Sequence, residues 1–82
     1  MQKIRPDLDL GQSIQQLRRK QKMTQDQVVA KLQLMGISIS KSSYAKIETN
    51  RMNIKVSELV ALKMIFQVTF EDFFKDLSLK KI

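Results

Sequence analysis

Apolar residues recur at helical spacing in five stretches of this 82-residue chain, and capping or turn residues separate the stretches. In the first, Leu10, Ile14 and Leu17 form one stripe and Arg18 lies beside it. Asp9 is placed to cap this helix, with Gln12 as its capping-box partner. The pattern carries it to about Lys22. The second stretch starts more sharply. Thr24 and Gln27 have the spacing of a capping box, and Met23 and Val28 that of a hydrophobic staple. Val28, Val29, Leu32 and Met35 should face inward, and Gly36 is a natural left-handed stop. Ile37-Ser38-Ile39 then alternates without a hairpin partner nearby, which predicts a short extended connection.

Ser40 caps the third helix, which runs to about Thr49, with Tyr44, Ile47 and Glu48 on one face. Asn50 can adopt the left-handed conformation at its end. Arg51 to Val56 is a polar, basic loop. The fourth helix, from Ser57 to Phe66, is apolar nearly all round and should be central. Thr69 caps the fifth, with Asp72 at the box position and a Val68–Phe73 staple. Phe70, Phe73, Phe74 and Leu77 form its stripe. Five short helices with short connections predict an all-α compact bundle. The expected limits are an N-terminal arm at 1–8, one domain at 9–78 and a tail at 79–82.

Composition narrows the chemistry. The chain has no Cys and no His. The usual zinc sites, the thiol nucleophile and the commonest general base are therefore absent, and no metal or cofactor is expected. No nucleophile–base set or Gly-rich phosphate loop argues for an enzyme. No apolar run approaches a membrane span, and the first residues lack the pattern of a secretory signal, so a cytoplasmic protein is expected. The formal net charge is +7, and the segment from Arg18 to Lys55 carries nine Lys and Arg against two acids, Asp26 and Glu48. That segment holds the whole excess. It also includes a helix opening with Ser40, Lys41 and Ser42, small polar and basic residues that suit insertion into a DNA groove.

At this point the residues resemble a known family. LGQSIQQLRRKQKMTQDQVV, SKSSYAKIETNRMN and SELVALKMIFQVTFEDFF follow in the order and spacing of the helix-turn-helix domain of the Cro and lambdoid phage-repressor type, also called XRE-like. The resemblance covers about residues 10–74. It implies a lambda-repressor-like fold with the second and third helices as the helix-turn-helix. Two departures stand out. LQLMGISIS makes the link between those helices longer than the family commonly has, and Val29 stands where the family often has Ala.

The resemblance also assigns roles. The exposed start of the third helix should meet base edges through Ser40, Lys41, Ser42, Ala45 and Lys46. Lys can donate to guanine O6 and N7, Ser can donate or accept, and Ala can touch a thymine methyl. Gln25, with Thr24, should reach a phosphate at the positive start of the second helix. Arg19, Lys20, Lys22, Arg51, Asn53 and Lys55 flank the motif as candidate phosphate contacts. Arg18 and Glu48 should form a structural ion pair between the first and third helices. Phe73, Phe74 and Leu77, with Leu79 and Ile82, offer more apolar surface than one terminal helix needs and are candidate dimer contacts. Lys3 and Arg5 are weaker candidates for a minor-groove arm.

The expected function is sequence-specific binding of double-stranded DNA by a homodimeric transcription regulator, a repressor on a roughly palindromic operator. No segment suggests a small-molecule effector domain. Control would then come from concentration, dimerisation or a regulatory protein partner, as in antitoxin or controller-type regulators. A protein-interaction module on the same fold is the alternative, and Ser40-Lys41-Ser42 argues against it.

Overall fold

The computed structural model of the chain describes residues 10–74, all of whose regular structure is helical. Five helices follow in order: α1 (Leu10–Lys20), α2 (Gln25–Leu34), α3 (Lys41–Glu48), α4 (Val56–Phe66) and α5 (Phe70–Phe74). The expected Asp9 cap, the arm with Lys3 and Arg5, Leu77, Leu79, Ile82 and the expected domain limits lie outside the described residues.

Local chemistry explains most helix starts. Thr24 Oγ1 accepts from the Gln27 N–H at 3.1 Å, and Gln27 Oε1 accepts from the Thr24 N–H at 2.8 Å. This reciprocal pair satisfies donors that a helix start otherwise leaves open. Ser40 Oγ does the same for the Ser43 N–H at 3.0 Å. At α5, Thr69 Oγ1 accepts from the Asp72 N–H, and the Asp72 carboxylate accepts from the Thr69 N–H at 2.8 Å. Helix α4 starts one residue earlier than expected, because the Glu58 carboxylate reaches back to the Lys55 N–H at 2.8 Å.

The helix ends share one device. Lys22, Gly36, Asn50 and Gln67 all have positive φ, near 57°, 88°, 58° and 59°. After each, the next N–H turns back to the last helical turn: Met23 to Arg18, Ile37 to Leu32, Arg51 to Lys46 and Val68 to Lys63. This is the Schellman closure, which satisfies carbonyls a helix end leaves open. It stops α1 at Lys20, two residues short of the expected limit. Between α2 and α3 the long link is extended, with no strand, and Gln33 Nε2 pins it by donating to the Ile39 carbonyl at 3.1 Å.

Helix α1 packs on α3 and α5, and α2 packs on α3 and α4, so α3 is held from two sides. Tyr44, Phe66, Phe73, Ile14, Leu32, Leu62 and Val28 are fully buried at the centre. Each of these other than Tyr44 contributes about 1.5–3 kcal/mol by leaving water. Two expectations need correction. Met35 is half exposed rather than inward, because α2 has already ended and Met35 forms its C-cap. Helix α4 is not buried all round. It buries Ala61, Leu62 and Phe66, while Val56, Val60 and Met64, four residues apart, form an exposed apolar row.

Candidate nucleic-acid interface

Helix α3 divides cleanly. Tyr44, Ile47 and Glu48 are buried, whereas Lys41, Ser42 and Lys46 are exposed and Ala45 is half-buried. Lys41–Ala45 and Ser42–Lys46 are spaced i, i+4, so these four residues share the outer strip of the helix. Ser40 is exposed, but its hydroxyl oxygen is engaged as the N-cap acceptor. The strip is basic, and between its two lysines it carries the short side chains of Ser42 and Ala45. Lys, Ser and Ala are side chains that can read base edges in a major groove.

A buried network aims the strip. Arg18 Nε donates to Glu48 Oε2 at 2.7 Å and Nη2 donates to Oε1 at 3.1 Å, a two-pronged pair with the Glu48 side chain fully buried. Arg18 Nη1 donates to the Met23 carbonyl at 2.8 Å. Gln25 Nε2 donates to Glu48 Oε1 at 2.9 Å. One carboxylate thus joins the end of α1, the start of α2 and the end of α3. Burial by itself would raise the Glu48 pKa. The bonds from Arg18 and Gln25, together with the nearby Tyr44 hydroxyl and the Arg18 charge, outweigh it and leave the pKa below the usual carboxylate value. The guanidinium is correspondingly held above its ordinary value, chiefly by its bond to Glu48.

Tyr44 lies against this pair. Burial first, and then the carboxylate, push its phenol well above the ordinary tyrosine range. Yet its hydroxyl finds no partner at bonding geometry among the described residues. A buried hydroxyl without a partner carries a desolvation cost of about 1–3 kcal/mol, and removing it removes the cost. Tyr44→Phe is therefore expected to keep or slightly raise the midpoint of urea unfolding. A marked drop would mean that the hydroxyl bonds the Glu48 carboxylate.

The phosphate candidates sit around this core. Arg19, Lys20, Lys22, Arg51, Asn53 and Lys55 are exposed, the first two at the end of α1, Lys22 in the turn that follows it and the others after α3. Thr24 is exposed and acts as the α2 cap. Gln25 is half-buried, and its amide is tied to Glu48 rather than standing free. Arg51 is oriented by Thr49, whose hydroxyl accepts from Arg51 Nε at 2.9 Å and itself donates toward the Ala45 carbonyl at 3.2 Å.

Of the candidate dimer contacts, Phe73 requires correction. It is completely buried and packs on Phe66 with ring centroids 6.5 Å apart, so it belongs to the core. Phe74 and Phe70 remain partly exposed, and the Lys63 ammonium lies 5.4 Å from the centre of the Phe70 ring.

Two elements had no reading in the sequence. The Gly11 N–H donates to Asn50 Oδ1 at 3.0 Å, and its Cα lies so close to α3 that a Cβ there would meet the Ile47 and Glu48 carbonyl oxygens. An isolated glycine within a helical pattern was the available signal. The second is Asp26, whose carboxylate pairs with Lys41 at 3.3 Å. Nothing in the sequence marked it, since an acid in the first turn of a helix already suits the helix dipole.

Among the described residues no group of His, Cys, Asp or Glu has the makings of a metal site, and no helix is long and apolar enough to cross a membrane. No curated protein matches the chain. Among solved structures, the chain is similar to the restriction-modification controller protein C.AhdI from Aeromonas hydrophila, with a TM-score of 0.67 and 18% identity over 82% of this chain and 94% of that one. At that identity the likeness speaks for the fold. A helix-turn-helix family model matches residues 14–73, which span all but the first turn of α1 and the last residue of α5. With that match, the paired helices α2 and α3 and the basic outer strip of α3, the chain belongs to the Cro/C1-type (XRE) helix-turn-helix family of DNA-binding transcription regulators.

Proposed function

We propose that the protein binds a roughly palindromic operator as a homodimer, lays α3 in the major groove and represses by occupying the site. The observation that carries this reading is the outer strip of α3. Lys41, Ser42, Ala45 and Lys46 face away from the core, while Glu48 on the opposite face is locked to α1 and α2. In this reading Lys41, Ser42, Ala45 and Lys46 read base edges, with Ser40 at the strip's start. Thr24, Gln25, Arg19, Lys20, Arg51, Asn53 and Lys55 hold phosphates. Gln25 keeps one amide hydrogen for that role, and its bond to Glu48 sets the direction.

A second copy would cover the partly exposed Phe70 and Phe74 and the apolar row Val56, Val60 and Met64 on α4, with Leu77 as a further contact. On a palindromic operator the two recognition helices would stand about 34–36 Å apart, one turn of DNA. A repressor of this kind acts in the cytoplasm on double-stranded DNA, with a regulatory protein partner as a further means of control.

Selection from a random duplex pool at near-physiological salt tests this reading, and a two-fold-symmetric consensus is the expected result. On the selected site, Lys41→Ala and Ser42→Ala should weaken binding more than they weaken binding to random duplex, by about 1–3 kcal/mol of discrimination. Arg51→Ala should weaken both alike and reduce the salt slope by about one unit. A selected pool without any consensus, or a Lys41→Ala that loses nothing on the selected site, contradicts the proposed recognition strip.

A further inference from the structure

Helix α2 crosses α3 so that neighbouring residues of its first turn reach the two ends of the recognition helix. Gln25 bonds Glu48, the last residue of α3, and Asp26 pairs with Lys41, the first. The Lys41 ammonium lies 3.3 Å from Asp26 Oδ1 and 3.4 Å from Oδ2, so both carboxylate oxygens face it. The side chains are 57% and 73% exposed, which makes the pair a minor source of stability. Its place is what matters. Asp26 is one of two acids in the basic stretch from Arg18 to Lys55, and the other, Glu48, is buried and neutralised by Arg18. Asp26 is therefore the exposed negative charge of that stretch, and it stands at the residue that opens the recognition strip.

We propose that Asp26 is a specificity-determining residue that acts through Lys41, holding its ammonium toward the base edges and away from the phosphates. The inference rests on the DNA-binding reading above and deepens it. A lysine ammonium is a point charge on a flexible stem with three donors. Unrestrained, it would swing to whichever phosphate lies nearest, an interaction that carries no sequence information. Paired with Asp26, it donates to Asp26 Oδ2 and keeps hydrogens for a base acceptor such as guanine O6. A phosphate can take Lys41 only by breaking the pair, and the Asp26 charge then repels that phosphate. On a site with the right base, both interactions are made together. Asp26 thus penalises unspecific contact more than specific contact.

The test compares Asp26→Asn with the wild type on the selected duplex and on random duplex across a salt series, with thermal unfolding to confirm that the variant folds. Glu71→Gln, the same charge change at an exposed position on α5, is the control. Asp26→Asn should tighten binding to random duplex by about two- to fivefold, the range of an exposed ion pair, and leave the selected site unchanged or weaker. The salt dependence on random duplex should steepen as Lys41 joins a phosphate. In a Lys41→Ala background the effect of Asp26→Asn should vanish. An equal gain on both duplexes, a gain matched by Glu71→Gln, or a gain that survives Lys41→Ala overturns the proposal, since each means that general charge is acting. A wild type that binds no duplex overturns the DNA-binding reading and this inference with it. A wild type that binds selectively, with a selectivity that Asp26→Asn does not change, overturns this inference alone.

Discussion

Arg18→Ala should destabilise the protein by about 3–5 kcal/mol, the largest effect expected of a single substitution here. The substitution leaves the Glu48 carboxylate wholly buried, with Gln25 as its remaining amide donor. It also takes the donor from the Met23 carbonyl, which Arg18 holds at 2.8 Å. A domain of this size has about 5–15 kcal/mol in all, so much of the chain would unfold at moderate urea concentrations. The partner substitution Glu48→Ala should cost a comparable amount and impair DNA binding through the fold. Replacing both at once, as in Arg18→Met with Glu48→Leu, should recover much of the loss, because no charge is then left buried. Urea unfolding of the two singles and the double measures the cycle. If Arg18→Ala costs less than the double, the pair is not what holds the end of α3.

The pair also sets a pH dependence. Glu48 has its folded pKa below the ordinary carboxylate value, so its contribution is complete above that ordinary value and is lost as pH falls through the lower, folded one. Acid unfolding of the wild type should therefore include a component that Glu48→Gln lacks.

Gly11→Ala carries the second large effect, and its sign decides between two principles. Helix propensity favours alanine by about 0.8–1.0 kcal/mol at a helix interior. Packing opposes it. The new Cβ would lie 2.6 Å from the Glu48 carbonyl oxygen and closer still to that of Ile47. Both are backbone atoms in the last turn of α3 and cannot rotate aside, so α1 or α3 must move. Overpacking of this kind costs about 1–3 kcal/mol and more where backbone has to shift. A net loss of about 1–2 kcal/mol is expected. The shift would also strain the Gly11–Asn50 hydrogen bond and tilt the recognition helix against α1. Gly11→Ala should accordingly lose affinity for a selected site even under conditions where it remains folded. A variant that melts higher than the wild type would show that α1 and α3 do not approach this closely.

Both predictions concern contacts between elements distant in sequence, and there the legibility of the chain changes. The helices could be read because their signals are local. The Thr24–Gln27, Ser40 and Thr69–Asp72 caps act within four residues, and Gly36 and Asn50 are residue types that accept positive φ readily. Lys22 and Gln67 take the same conformation without that signal, since neither type favours it and closure of the helix end outweighs the local cost. The outer strip of α3 was likewise legible from i, i+4 spacing and charge. The resemblance to a family named the Arg18–Glu48 pair, but not Gln25 as its third member.

Burial misled the reading where composition was ambiguous. An apolar helix can be buried all round or carry an exposed face, and the residue types of Val56, Val60 and Met64 are the same in both cases. Phe73 and Phe74 are adjacent and chemically identical, yet one is in the core and the other partly in solvent. Which is which depends on the direction in which α5 leaves its cap.

Secondary structure, its caps, the basic balance and the polar face of α3 were determined by the sequence itself, because each depends on interactions a few residues long or on summed charge. The tertiary structure alone decided the close approach at Gly11, the convergence of three helices on Glu48, the pairing of Asp26 with Lys41 and the apolar row left open on α4. Each of these is set by how rigid helices cross, and a crossing is the joint outcome of all the packed side chains rather than a property of any one segment.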